Sequence, residues 1–326
     1  MNVLFILGNG FDKAQGLATS YQEFYKEYQK IKPASDLEAR LKKNIQSNYE
    51  TWADLEEGLG KYSAHFTDVN EFREVLRILN SRLKDYLEVQ ALRIDTMGLS
   101  RAKLINYLMN PDTELEPKQS VEYKDFIAAI NPGKIYIDCV TLNYTDTLES
   151  VIDKQDAFLG HVGTIDVPAY FNQIYHLHGS LDNMILVGVN DVSQIANGAF
   201  RDNAELCEEF VKPEINKGCE NMMNETFIRL ILDAHVILLF GVSVGLTDSM
   251  WWQAIGKRMD NPNDMLRLVY YPYDLKKDTR NYPFRKRRWS QEYISFLKDR
   301  MAIQASVEDL RNRIYVGINK PFLKLN

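Results

Sequence analysis

The chain has 326 residues, with 39 Lys and Arg against 45 Asp and Glu and a formal net charge of −6 at pH 7. Hydrophobic residues make up 45% of it and charged residues 26%, a globular composition that excludes wholesale disorder. The acidic balance argues against a dedicated nucleic-acid binder. Small polyanions such as nucleotides remain candidate ligands, because glycine loops and helix N-termini bind them whatever the net charge of the protein.

Cysteine usage and hydropathy bear on the compartment. Cys139, Cys207 and Cys219 are scattered and odd in number, which argues against a disulfide framework or a four-thiolate zinc site. The longest apolar run, residues 236–246, is far shorter than the roughly 20 residues that span a bilayer. The N-terminus lacks the basic start and small-residue cleavage site of a signal peptide. We therefore expect a soluble, cytoplasmic protein without membrane contact.

The pattern of the N-terminal segment predicts a strand, a glycine loop and a helix. Residues 3–7 are continuously apolar, as in a parallel strand buried on both faces. Gly8 and Gly10 follow, and such a loop lets backbone amides approach a phosphate. A tight strand–helix connection explains the same glycines, since the next glycine, Gly16, misses the dinucleotide-binding spacing. Ser20 begins a capping-box pattern that predicts a helix start.

The residue pattern changes in the middle of the first half, from strand-like to helical. Charged, helix-favouring stretches dominate from about residue 33 to residue 131, and residues 69–87 carry apolar side chains at three- and four-residue spacing. The carboxylates of residues 54–57 fit an amphipathic helix anchored by Trp52. We predict a helical subdomain at 34–130, inserted into a nucleotide-binding domain formed by 1–33 and 131–326.

Strand patterns return in the second half, interleaved with helical ones. The strands are predicted at 135–142, 174–177, 236–240, 266–270 and 313–316. This alternation indicates an α/β fold with an open, mostly parallel, Rossmann-like sheet. Ligands of such sheets lie beyond the carboxyl ends of the strands. Polar or glycine-bearing segments stand at those ends, at residues 8–12, 143–146, 178–180 and 241–243.

Two of these strand ends carry side chains suited to catalysis. Asn143 can hydrogen-bond both a hydroxyl and a water molecule, although an ordinary turn or helix cap also favours Asn. His176 and His178 alternate along one strand and are predicted to share a face. His178, nearest the strand end, is a candidate general acid or base. A metal site would need a third ligand at a familiar spacing; the sequence offers none, and we expect no metal.

These segments, in this order, resemble the sirtuin-like superfamily. The loop of residues 8–19 is similar to the sirtuin G-A-G-x-S-(three residues)-G-[IL]-P-x loop, and residues 141–149 resemble the T-x-N-Y-D-x-x-x-E element. His178-Gly179 and the G-x-S at 241–243 match two further sirtuin elements. More narrowly, G-N-G-F-D, L-N-Y-T-D-T, H-L-H-G-S and F-G-x-S-x-x-x-x-D together look like the AbiH-like family of phage abortive-infection proteins.

The resemblance implies an NAD site, with NAD as substrate or ligand. It implies that Asn143 and His178 are catalytic residues beside the nicotinamide ribose, with His178 as general base. Many sirtuin-like proteins of phage defence are NAD hydrolases, and this activity is the function we expect. The resemblance further implies cofactor contacts from Gly8, Asn9, Gly10, Phe11, Asp12, Thr19, Tyr144, Asp146, Gly179, Gly241, Ser243 and Asp248.

The chain departs from the sirtuin pattern at three points. Asp12 stands in place of the loop serine, and Thr145 in place of an aspartate that meets the nicotinamide amide. The four-cysteine zinc module of sirtuin deacylases is absent from the sequence. The missing zinc module disfavours protein deacylation and leaves NAD hydrolysis or non-catalytic sensing of NAD or ADP-ribose through the helical insertion. The altered Asp12 and Thr145 positions favour the sensor. A phage-derived trigger and a homo-oligomer stay open as partners, whereas nucleic acid is disfavoured.

Overall fold

The computed structural model describes residues 1–152, 157–162, 166–219, 222–273, 277, 281–318 and 322–326. Within these ranges the chain is an α/β protein around one seven-stranded, mostly parallel sheet, which confirms the predicted α/β class and the mostly parallel sheet. The strands, in chain order, are β1 (Asn2–Leu7), β2 (Ile135–Thr141), β3 (Phe158–Val162), β4 (Val167–His176), β5 (Val236–Phe240), β6 (Arg267–Tyr271) and β7 (Ile314–Val316).

The sheet is parallel except at one edge. Its strand order is β3-β4-β2-β1-β5-β6-β7, and only β3 runs antiparallel to its neighbour. The first strand therefore lies at the centre, with β2 on one side and β5 on the other. The strand order changes direction between β1 and β5, and such a switch point opens a crevice beyond the carboxyl ends of the two strands.

Helices surround the sheet. They are α1 (Gly10–Gln15), α2 (Tyr21–Tyr28), α3 (Asp36–Ser47), α4 (Leu55–Tyr62), α5 (Val69–Ala91), α6 (Arg101–Met109), α7 (Pro117–Ile130), α8 (Ala204–Phe210), α9 (Lys212–Gly218), α10 (Met223–Asp233), α11 (Ser249–Asp260), α12 (Lys286–Arg300) and α13 (Val307–Leu310). The predicted capping box is confirmed, since Ser20 and Glu23 cap α2 reciprocally. None of the helices in the described ranges is long and apolar enough to cross a membrane.

Both faces of the sheet are covered. Successive side chains of a strand point to opposite faces, so Phe5 joins a core with α6 and α7, while Ile6 joins a core with α10, α11 and α12. This double burial explains why β1 and β5 are continuously apolar in sequence.

A third core lies apart from the sheet faces. It combines α2, α3, α4 and α5 with residues from the segment 181–211. The helices of the predicted insertion thus belong to two different cores. Helices α6 and α7 pack on the sheet, whereas α3 to α5 pack in the third core. The domain boundaries at 34 and 130 stay a prediction.

The strands near residue 170 differ most from the sequence prediction. The predicted strand at 174–177 is the end of the longer β4, which begins at Val167. Pro168, near its start, weakens the strand pattern because proline cannot donate to the ladder. The edge strand β3 escapes prediction because it is only partly buried and contains Gly160.

Candidate active-site cavity

One cavity of about 690 Å³ lies beyond the carboxyl ends of β1, β2 and β5. The loops after these strands form one wall, and α2, α4 and α5 form the other. Its volume falls in the range of small-molecule sites, about 300–1,000 Å³. It also lies at the switch point of the sheet, where open α/β folds bind ligands.

Glycines bring two of the loops together at the cavity floor. A Cβ on Gly10 would lie 2.4 Å from the Gly241 Cα, and one on Gly8 would lie 2.6 Å from the Gly241 oxygen. The Gly10 amide donates to the Gly241 oxygen at 3.0 Å. Close backbone contact between the loops, rather than ligand contact alone, therefore requires glycine here.

The loop after β5 also carries backbone strain. Gly241 has φ +62° and Val244 has φ +51°. A β-branched residue rarely adopts this left-handed conformation, and residues so held cluster at functional sites.

Most of the predicted site residues meet at this cavity. Ten of them line it: Gly8, Asn9, Asp12, Thr19, Asn143, Tyr144, His178, Gly241, Ser243 and Asp248. The other four lie elsewhere: Gly10, Phe11, Asp146 and Gly179.

Each of the four has a structural reason for its place. Gly10 packs against Gly241, and Phe11 is buried in the core under α6 and α7. Gly179 turns the chain with φ +76°, and a Cβ there would lie 1.9 Å from the Met184 oxygen. Asp146 faces His176 instead of the cavity.

Asp12 and Asn143 present unpaired polar atoms in the lining. Asp12 is 1% exposed, and its Oδ2 accepts a hydrogen bond from the Thr145 hydroxyl at 2.6 Å. Its Oδ1 is buried without a partner, as is the Nδ2 of Asn143. Buried polar atoms are normally paired, so these two unpaired atoms are exceptions that need an explanation.

His178 belongs to a buried chain of charged side chains. Its Nε2 lies 3.3 Å from Asp248 Oδ2, and the other oxygen of Asp248 lies 3.0 Å from the Lys212 ammonium. Lys212 also contacts Glu56 at 2.7 Å. The chain joins α4, α9 and the loop after β5 to the catalytic candidate.

The electrostatics of this chain fix the state of His178. Burial lowers the pKa of His178, and the Lys212 charge lowers it further, so the imidazole is neutral at pH 7. Burial alone would raise the pKa of Asp248, but Lys212 and His178 hold it below its ordinary value. With Asp248 as the acceptor for Nε2–H, the lone pair of the neutral imidazole lies on Nδ1.

His176 lies outside the cavity, so the two histidines do not share one site as the alternation predicts. Its Nδ1 lies 3.0 Å from the Asn143 backbone oxygen, and its Nε2 lies 2.7 Å from Glu149 and 3.7 Å from Asp146. Among the described residues, His176, Glu149 and Asp146 form the one group whose donor atoms lie close enough together to hold a metal ion. The expectation of no metal stays a prediction.

Two residues of the charged chain behind His178 have no catalytic motif in the sequence, and one of them, Glu56, lines the cavity. Glu56 and Lys212 are charged residues with no motif around them, and they meet as a buried ion pair across 156 positions of sequence. Asp54 likewise lines the cavity while capping α4. Trp52 does anchor this region, as predicted, at 1% exposure.

A family model for bacteriophage abortive infection proteins, AbiH, matches residues 4–270. The chain belongs to the AbiH family. Membership ties it to phage abortive infection and so to antiviral defence. A search of curated proteins finds no match. The matched range contains every residue of the cavity named above.

Proposed function

We propose that this AbiH protein hydrolyses NAD to nicotinamide and ADP-ribose during abortive infection. The observation that carries the proposal is the meeting of Asn143, neutral His178 and the two glycine loops at one cavity. The resemblance of these segments to the sirtuin-like superfamily supplies the choice of ligand.

The sheet topology supports a dinucleotide ligand. Numbered along the chain without the antiparallel β3, the strands lie in the order 3-2-1-4-5-6. This is the order of the dinucleotide-binding fold, whose ligand spans the switch point. A cavity of about 690 Å³ is large enough for a ligand of this class.

The charges of the lining suit the two ends of NAD. Lys13 and Arg300 line the cavity, and no ion pair to either occurs in the described part of the chain. They are suited to the diphosphate. Asp12 and Asp54 are suited to the cationic nicotinamide ring and to the positive charge that develops on the ribose.

The chemistry needs a positioned ribose and a positioned water. The bond between ribose C1′ and the nicotinamide nitrogen breaks, and its electron pair leaves with nicotinamide. His178 accepts a hydrogen bond from a ribose hydroxyl through Nδ1, while Asp248 holds the imidazole from the other side. Fixing both partners in a water-poor cavity lowers the entropic part of the barrier.

The test is NAD turnover by the purified protein, with nicotinamide and ADP-ribose separated by chromatography. We expect both products, and a loss of about 100-fold or more in His178→Ala, as for other general bases. His161→Ala is the matched control, since His161 is exposed on β3.

Unchanged turnover in His178→Ala would contradict the proposal. Absence of turnover in the wild type, together with a raised melting temperature in NAD, would favour the non-catalytic sensor instead.

A further inference from the structure

The unpaired atoms of Asp12 and Asn143 are complementary. One is a carboxylate oxygen, which accepts hydrogen bonds, and the other is an amide nitrogen, which donates them. Asn143 is among the side-chain hydrogen-bonding groups that lower the pKa of Asp12, so the amide lies beside this carboxylate. Both side chains are more than nine-tenths buried, at 1% and 7% exposure, and both line the cavity.

Leaving such atoms unpaired is costly. A buried polar group without a partner costs about 1–3 kcal/mol, and more if it is charged. Thr145 donates a hydrogen bond to the other oxygen of Asp12, which holds the carboxylate in place and leaves Oδ1 without a partner. A water molecule can form a hydrogen bond to both atoms, because it donates to the carboxylate oxygen and accepts from the amide nitrogen.

We propose that Asp12 is a further catalytic residue, the base that accepts the proton of the water attacking ribose C1′. Asn143 Nδ2 holds the oxygen of the same water. The proposal rests on the proposed hydrolysis of NAD. The water oxygen forms the new bond to C1′ as the bond to nicotinamide breaks. The water proton passes to Asp12 and then to solvent, which balances NAD and water against nicotinamide, ADP-ribose and a proton.

The surroundings of Asp12 suit this role. Burial raises its pKa to about 6, and the groups that oppose this shift are all uncharged: Thr145, Thr147, Thr19 and Asn143. The carboxylate is thus ionised at pH 7 and still basic enough to take a proton, as a general base near its working pH should be.

The test compares the pH–rate profiles of the wild type and the isosteric Asp12→Asn. We expect wild-type kcat to rise with pH through a limb near pH 6. The variant should lose the limb and about 100-fold or more in kcat. Its melting temperature should still rise with ADP-ribose, because the hydrogen-bonding shape is kept. Asp138→Asn is the matched control, since Asp138 is a buried carboxylate of β2 outside the cavity.

Azide provides a second readout that a purely structural role would not change. It attacks C1′ without a proton to lose, so it should restore nicotinamide release in Asp12→Ala and yield the ribosyl azide. A limb near pH 6 retained in Asp12→Asn, or a variant kcat within about threefold of wild type, would overturn the assignment of Asp12 alone. No nicotinamide release from the wild type would instead overturn the proposed hydrolysis, and this base with it.

Discussion

Two histidine–carboxylate clusters lie at the end of β4, and they differ in almost everything but composition. His178 faces Asp248 in a buried chain that continues to Lys212. His176, two residues earlier, faces Glu149 and Asp146 in a cluster whose carboxylates are partly exposed. The first cluster borders the cavity and the second does not.

The pKa values of the two imidazoles shift in opposite directions. Burial and the Lys212 charge lower the pKa of His178. Burial would also lower the pKa of His176, but Glu149 outweighs it and raises the pKa above its ordinary value. Burial and the lysine together make the difference at His178, because the lysine also neutralises the carboxylate that would otherwise stabilise a charged imidazole. A histidine beside carboxylates therefore holds its proton less tightly in one place and more tightly in the other.

Removing Lys212 should have the largest effect, because it takes away the cation that distinguishes the surroundings of His178 from those of His176. Lys212→Met leaves Glu56 and Asp248 buried without their cation, and such a loss costs about 3–5 kcal/mol of unfolding free energy. The pKa of His178 should rise at the same time, since a positive neighbour is gone. Urea denaturation measures the first effect and histidine NMR the second.

Lys217→Met is the control for Lys212. This lysine lies on the same helix, α9, in a largely exposed pair with Glu214 at 3.5 Å. Its loss should cost less than about 0.5 kcal/mol. Similar losses in both variants would mean that the buried chain contributes no more than a surface pair.

Asp12→Asn should change the unfolding free energy by a somewhat smaller amount than Lys212→Met, and it should stabilise the protein instead of destabilising it. Its pKa is raised from 3.8 to about 6 by burial, so the folded state binds the proton more tightly than the unfolded state. Stability from this group is full below pH 4 and falls as pH rises through 6, by on the order of 3 kcal/mol. Asp12→Asn removes this loss.

The measurement is the unfolding free energy of Asp12→Asn and wild type at pH 4 and pH 7.5. The variant should gain on the wild type between the two pH values. Asp125→Asn, at an exposed position of α7, should give no such gain. A stability difference between variant and wild type that is the same at both pH values would contradict a burial penalty at Asp12.

The sequence predicts the sheet well because its signals there are local. Residues 236–240 are continuously apolar, and the strand they form is wholly buried. The polar strand ends could be placed at one edge because parallel strands end together. Asn143, His178 and Asp248 meet at the cavity for that reason.

The charged chain behind His178 could not be predicted in the same way. Glu56 and Lys212 are 156 positions apart in sequence, and neither stands in a pattern that differs from a solvated helix. The partner of His176 was missed for a related reason. Asp146 follows Asn143 closely, so the strand-end rule placed it in the cavity, whereas the turn after β2 directs it to the other side.

The smallest effect, and the most direct test of the comparison, is the titration of the two imidazoles. NMR of the wild type, with His176→Gln and His178→Gln for assignment, should give one pKa above 6.5 for His176 and one below it for His178. Glu149→Gln should lower only the pKa of His176. Because this pKa is raised in the fold, its stabilisation is present at low pH and lost as pH rises through the folded value. Glu149→Gln should therefore destabilise more at pH 5.5 than at pH 8.5, by less than about 1 kcal/mol since the pair is partly exposed. Equal pKa values would mean that Lys212 does not control His178.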